Sequence, residues 1–290
     1  MMKRLFIFAV CCLLFSPVGT LSVEAQKVLT VLHTSDTHSC ILPLNKNLAD
    51  TMLADRGGFL RRIAMLKQER QKDPDLLLFD CGDFSQGSSY YTMFQGDVEV
   101  GLMNQMHYDA VTIGNHEFDF GLENMIRLFK MANFPIVCSN YDFADTELKD
   151  IVKPYIILKR KGIKIGVFAL CPPLEGLVFT KNYAPLRYLD PVEKAQEMVD
   201  LLKNKEKCDV VICLSHLGWK VTECTDNDVI QKTKGIDLVL GGHSHTYMEE
   251  LAYVNDSQGQ RVPVDHEGKH GAFIGKMKLH FKKNRHLRNR

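Results

Sequence analysis

The sequence predicts an α/β fold, and three observations carry that prediction. Short runs of β-branched and other apolar residues alternate with segments whose apolar residues recur at helical spacing. Charged or glycine-bearing turns separate these segments, with no Pro/Gly/Ser linker and no internal repeat, so one mature domain is expected. Five strand-like runs end in Asp, Asn or His, as they do in an open sheet whose carboxyl edges converge on one crevice.

Taken in order, a strand over Val28–His33 precedes a helix over Gly57–Arg70, which sets Phe59, Leu60, Ile63 and Leu66 on one face. Leu76–Phe79 is a second strand, Val98–Met106 a helix, Ala110–Ile113 a third strand, Leu122–Ala132 a helix and Ile136–Cys138 a further strand. Between them Ser85–Gly96, with Tyr90, Tyr91 and Phe94, reads as a loop that either packs down or offers aromatic contacts. Tyr155–Leu158 and Ile163–Ala169 flank a charged glycine turn and form a hairpin. Pro191–Lys203 is helical, Val210–Leu214 and Leu238–Leu240 are strands, and Glu249–Val254 and Ala272–Phe281 read as closing antiparallel strands.

Lys3 and Arg4, the apolar run Leu5–Phe15 and small residues up to Ala25 fit a cleavable export signal over residues 1–25. The run falls short of the roughly 20 apolar residues that a membrane span needs. A secreted or periplasmic protein without a stable membrane anchor is therefore expected, with residues 26–290 as its domain. Its 36 bases and 35 acids give a net charge of +1, and loss of the signal leaves the chain neutral. No overall field draws it to a nucleic acid polymer. Cys40, Cys81, Cys138, Cys171, Cys208, Cys213 and Cys224 are irregularly spaced, mostly in or beside apolar runs, and read as buried thiols. Lys276–Arg290 is basic without an acid and reads as a solvated strand edge running into a terminus.

The chemistry lies at the strand ends. Val28–His33 leads into Asp36 and His38, the second strand into Asp83, the third into Asn115 and His116, Val210–Leu214 into His216, and Leu238–Leu240 into His243 and His245. Asp36, Asp83 and Asn115 offer oxygen, while His38, His216, His243 and His245 offer imidazole, a mixture suited to Zn, Mn, Fe or Co. Seven donors exceed what one catalytic metal with an open position needs. They fit two divalent cations about 3.5–4 Å apart that share a carboxylate, for which Asp83 is the natural bridge.

Five blocks stand in order: Asp36-Thr37-His38, Gly82-Asp83, Gly114-Asn115-His116-Glu117-Phe118-Asp119, Ser215-His216-Leu217-Gly218 and Gly241-Gly242-His243-Ser244-His245. They closely resemble the calcineurin-like metallophosphoesterase superfamily and, within it, the secreted 5′-nucleotidase / UDP-sugar hydrolase family. The resemblance implies a four-layer α/β/β/α sandwich of two mixed sheets flanked by helices. It makes Asp36, His38, Asp83 and His245 ligands of one metal, and Asp83, Asn115, His216 and His243 ligands of the other. It makes His116 and Asp119 a catalytic dyad and puts Asn115 and His116 at the substrate. The implied reaction is hydrolysis of nucleoside 5′-monophosphates or related nucleotide esters by a hydroxide shared between the metals. Alternatives are a 2′,3′-cyclic phosphodiesterase, a nucleotide-sugar pyrophosphatase, a broad phosphomonoesterase or, outside catalysis, a binding module. Relatives of this kind continue into a nucleotide-specificity domain that this sequence lacks, so a separately encoded chain of that type is a possible partner. His33 matches a common family residue without an assigned role, and His107, His266, His270, His280 and His286 are expected at the surface.

Overall fold

The computed structural model describes residues 27–220 and 224–281; the signal-like segment and the basic residues 282–290 lie outside them. The strands are β1 (Lys27–Thr34), β2 (Leu77–Asp80), β3 (Ala110–Val111), β4 (Tyr141–Asp142), β5 (Tyr155–Arg160) and β6 (Ile163–Leu170), then β7 (Arg187–Tyr188), β8 (Val210–Ser215), β9 (Leu238–Gly241), β10 (Ala252–Asn255), β11 (Arg261–His266) and β12 (Gly275–Phe281). The helices are α1 (Phe59–Lys72), α2 (Ser89–Phe94), α3 (Asp97–Met106), α4 (Gly121–Met131), α5 (Leu148–Ile151), α6 (Thr180–Tyr183), α7 (Pro191–Asp200) and α8 (Asp226–Lys232).

One sheet has the order β12-β1-β2-β3, and a second has the order β10-β11-β9-β8-β6-β5. In the first, β1, β2 and β3 are parallel and β12 closes the edge antiparallel to β1. In the second, β6, β8, β9 and β11 are parallel, with β5 and β10 antiparallel at the edges. Both sheets are mixed, as expected.

The layering follows from strands that are apolar on both faces. On β1 and β2, Leu29, Val31, Leu77 and Phe79 meet Ile165, Val167, Ile212, Leu214, Leu238 and Leu240 between the sheets. The alternate residues Leu32 and Leu78 turn the other way, onto Phe59 and Leu66 of α1, Val100 and Met103 of α3, and Met125 and Leu128 of α4. Across the second sheet, Phe168, Val211 and Cys213 pack on Ala195 and Val199 of α7 and Val229 and Ile230 of α8. Four layers result, and each fully buried aliphatic or Phe side chain contributes roughly 1.5–3 kcal/mol.

Several local expectations need correction. Ile136–Cys138 forms isolated bridges to Val111 and Lys153 and no strand of its own. The segment 85–96 is not a plain loop: it carries α2, capped by the Ser88 hydroxyl, which accepts from the Tyr90 and Tyr91 backbone N–H groups at 3.1 and 3.3 Å. The two closing strands belong to different sheets, β10 to the second and β12 to the first. The helix over 191–203 begins at a Pro191 first turn capped by Asp190, and after Asp200 it continues as a single π turn, Leu201–Lys205. Among the cysteines, Cys81, Cys138, Cys171, Cys208 and Cys213 are buried, while Cys40 and Cys224 are half-buried.

Candidate metal centre

The parallel strands of both sheets deliver their carboxyl ends to one crevice. Asp36 and His38 follow β1, Asp83 follows β2, Asn115 and His116 follow β3, His216 directly follows β8, and His243 and His245 follow β9. Each chain must reverse sharply there, and five of these residues do so at positive φ: Asp36 at 49°, His38 at 42°, Asp83 at 55°, His243 at 71° and His245 at 53°. For residues with a Cβ this conformation is strained, and such strain persists only where the surrounding structure enforces it. Room is equally tight at Gly114, where a Cβ would stand 2.1 Å from Asp83 Oδ1 and 2.6 Å from the Asp83 nitrogen. Only glycine lets the β3 loop lie this close to Asp83.

The side chains gather into three overlapping groups, one of which, His38, Asp83 and His116, includes the histidine that precedes Glu117. Asp36, His38 and His245 bring one ligand atom each within 4.8 Å of one another, and so do Asp83, His216 and His243. His38 joins the Asp83 side as well, with its Nε2 4.0 Å from Asp83 Oδ2. The His38 and His245 Nε2 atoms are 2.9 Å apart, the spacing of two nitrogens bound to one ion at about 2.1 Å and near a right angle. His216 Nε2 lies 3.1 Å from Asp83 Oδ2. Asn115 Oδ1 and His216 Nε2 are buried and make no hydrogen bond, so the donor set fits two cations sharing Asp83.

Neighbouring groups aim these donors. The His216 Nδ1–H donates to the Cys81 carbonyl at 2.5 Å, which leaves Nε2 as the atom turned toward Asp83 and the other donors. The His243 backbone N–H donates to both Asp36 oxygens at 2.9 and 3.1 Å, and the His116 N–H donates to Asp83 Oδ1 at 2.9 Å. Glu117 was visible in the sequence only as part of a motif. Its buried carboxylate accepts the backbone N–H groups of Asp83, Gly114 and Ser85 at 2.9, 2.6 and 3.1 Å, and so ties the β2 loop to the β3 loop. Glu117→Gln is expected to lower stability by about 1.5–3 kcal/mol, since one acceptor oxygen cannot serve all three donors. Urea unfolding checks this; a variant within about 0.5 kcal/mol of the parent would contradict the anchoring role.

The electrostatics match the geometry. Burial lowers His38, His243 and His245 to about 4, so their rings are neutral at pH 7 and their lone pairs are available. Burial also pushes Asp36 up to about 7. Burial opposes charge on Asp83 and His216 too, but each faces the other. Asp83 is thereby held well below the usual carboxylate range and His216 is raised to about 10, so a cation at His216 Nε2 would have to displace a proton.

His116 sits at the rim. Its Nδ1 is 3.1 Å from Asp119 Oδ2, and both side chains are about one third exposed. Burial works against the imidazolium, yet the Asp119 hydrogen bond and then the Asp83 charge raise its pKa above the ordinary histidine value. Beside it a cleft of about 480 Å³ is lined by Gly87, Ser88, Tyr91, Asp119 and Phe120. Tyr91 is buried against Phe120, with ring centroids 5.1 Å apart, while Phe94 is exposed.

Two histidines expected at the surface are elsewhere. His266 is 1% exposed because its Nε2 meets Asp226 Oδ2 at 2.7 Å, a pairing 40 residues apart that the local sequence does not announce. His270 is half-buried beside the centre: its backbone N–H donates to the Asp36 carbonyl at 2.7 Å and its ring is 6.1 Å from that of His38. His107 and His280 are exposed, and His286 lies outside the described residues.

Comparison with known proteins bears on this geometry. Residues 29–247 match the model of the calcineurin-like phosphoesterase family. The chain is 32% identical over 272 residues to a 5′-nucleotidase of Bos taurus, a match that covers 87% of this chain and 46% of that protein. It is 31% identical to the trifunctional nucleotide phosphoesterase protein YfkN of Bacillus subtilis, over 87% of this chain and 18% of that protein. Among solved structures, a 5′-nucleotidase precursor of Thermus thermophilus superposes with a TM-score of 0.80 at 28% identity, covering 88% of this chain and 52% of that one. The chain thus spans about half the length of the 5′-nucleotidases it matches.

Proposed function

The chain belongs to the calcineurin-like phosphoesterase family, and on that premise we propose that it hydrolyses phosphate esters of nucleotides, nucleoside 5′-monophosphates first among them. The observation that carries the reading is the convergence of six His and Asp donors from both sheets, with the unpartnered Asn115 Oδ1 and the His116–Asp119 pair following β3. Similarity to 5′-nucleotidases over 87% of the chain supports the nucleotide substrate.

When bound, two divalent cations supply Lewis acidity, which lowers the pKa of water and offsets phosphoryl charge. Asp36, His38, Asp83 and His245 hold one of them, and Asp83, Asn115, His216 and His243 hold the other. Asn115 and His116 stand where the phosphoryl group enters. Asp119 accepts the Nδ1–H of His116, orients the ring and favours its protonated form, in which Nε2 carries a proton for the departing ribose oxygen. No serine or cysteine nucleophile is required. Zn, Mn, Fe and Co all suit the donor set.

Residues 26–290 then form the catalytic unit and residues 1–25 an export signal. Similarity to a snake venom 5′-nucleotidase of Crotalus adamanteus, 30% identical, supports export. No helix of the described residues is long and apolar enough to cross a membrane. A partner chain that carries a further unit of the kind found in the longer relatives would complete the substrate site.

A panel of AMP, UDP-glucose, 2′,3′-cyclic AMP and p-nitrophenyl phosphate with added Mn²⁺ or Zn²⁺ tests the reading. Hydrolysis of AMP is expected, and no turnover of any ester would sink it. The chain alone should show weak nucleotide binding and similar efficiency on several esters, because remote binding energy provides much of the discrimination. Co-expression with a nucleotidase C-terminal-domain chain should lower KM for one nucleotide. Micromolar KM and a strong base preference in the isolated chain would exclude the two-chain arrangement.

A further inference from the structure

A second polar cluster joins the two sheets away from the metal centre. His33, next to last in β1, places Nε2 3.1 Å from Asp265 Oδ2 and 4.0 Å from Glu267 Oε1. Asp265 lies in β11 of the other sheet, and Glu267 immediately follows that strand. One ligand atom from each of the three lies within 4.8 Å of the others. His33 is fully buried, and the two carboxylate side chains are only 8% and 9% exposed.

This cluster holds more acid than it neutralises. Among the described residues no Lys or Arg forms an ion pair with either carboxylate, and no backbone N–H or hydroxyl donates to Glu267. Burial and the neighbouring Asp265 push Glu267 up to about 8, so the pair shares a proton at pH 7, whose place a divalent cation between the carboxylates can take. Glycine in β12 lets the strand close directly over the cluster, and the way in is from the side of Asp265 and Glu267. Gly275 is the register partner of His33, and a Cβ there would stand 2.2 Å from His33 Nε2 and 2.9 Å from Glu267 Oε1. Asp265 and Glu267 also line an open cleft of about 700 Å³, through which an ion and its water ligands can pass.

We propose that His33, Asp265 and Glu267 form a third divalent-cation site, which clips the first sheet to the second. One imidazole and two carboxylates select Zn, Mn, Fe or Co, with water from the cleft completing the coordination. The site takes no part in hydrolysis and acts on stability, so the proposal extends beyond the function argued above and does not depend on it.

The test is titration of the metal-depleted chain with Mn²⁺ or Zn²⁺, read by elemental analysis after gel filtration and by thermal unfolding. The parent chain should retain close to three equivalents. Asp83→Asn should keep one equivalent and a cation-dependent rise in Tm of about 5 °C, and both should vanish in the double variant Asp83→Asn/Glu267→Gln. Glu267→Gln alone should hold two equivalents with turnover near that of the parent. Saturation of the parent at two equivalents would overturn the site, and so would three equivalents in Glu267→Gln. If Glu267→Gln does not fold, the parent and Asp83→Asn titrations decide. A parent chain that holds one equivalent, lost in Glu267→Gln but not in Asp83→Asn, would sink the two-metal reading and leave the third site standing.

Discussion

Asp83→Asn is expected to empty the two-metal centre and to reduce turnover by several orders of magnitude, because the reactive water depends on both cations at once. Asp83 reaches both donor groups, with Oδ2 4.0 Å from His38 Nε2 and 3.1 Å from His216 Nε2, whereas Asp36 Oδ1 comes no nearer to His216 Nε2 than 4.0 Å. The amide keeps the shape and removes the charge that two cations would share. It also leaves His216 without the anion that raises its pKa. Elemental analysis and kcat on AMP, measured on the same preparation, check the result. Full metal content with a near-normal rate would remove Asp83 from its role.

His116→Ala should separate proton transfer from metal holding. The variant is expected to retain both cations of the centre and lose about 10²- to 10⁴-fold in kcat on nucleotides, the usual contribution of a positioned general acid. With p-nitrophenyl phosphate the loss should be much smaller, since that leaving group departs without a proton. The His116 Nδ1 is turned toward Asp119, and the seven assigned donors remain when the ring is removed, which is why metal content should survive. Equal losses on both substrates would assign His116 a different task.

The parts of this fold that were legible in the sequence share one property: their residues report on their own surroundings. Val31, Leu32, Leu77, Leu78 and Phe79 are apolar in succession because sheet packs on one face and helix on the other. The donors Asp36 to His245 were legible because each stands within a few residues of a strand end. Strand β11 was not, because it interrupts its valines with Pro263 and ends in Asp265 and His266. Those polar residues are buried only because His33 and Asp226 meet them from distant segments. Helix α8 was missed although Thr225 and Asp228 form a capping box, since its short apolar face, Val229 and Ile230, gives little periodicity. Glu117 lay in plain view as a letter of a motif, but its work is done on backbone N–H groups that no side-chain pattern displays.

The division of the donors between the sheets also fixes an order of events as the protein matures. Asp36, His38, Asp83 and Asn115 hang from the first sheet, and His216, His243 and His245 hang from the second. Under the ligand assignment argued above, each half-set alone binds an ion weakly, and neither can define two adjacent positions. Under that assignment both positions are complete only once the sheets have docked, so full loading would follow docking.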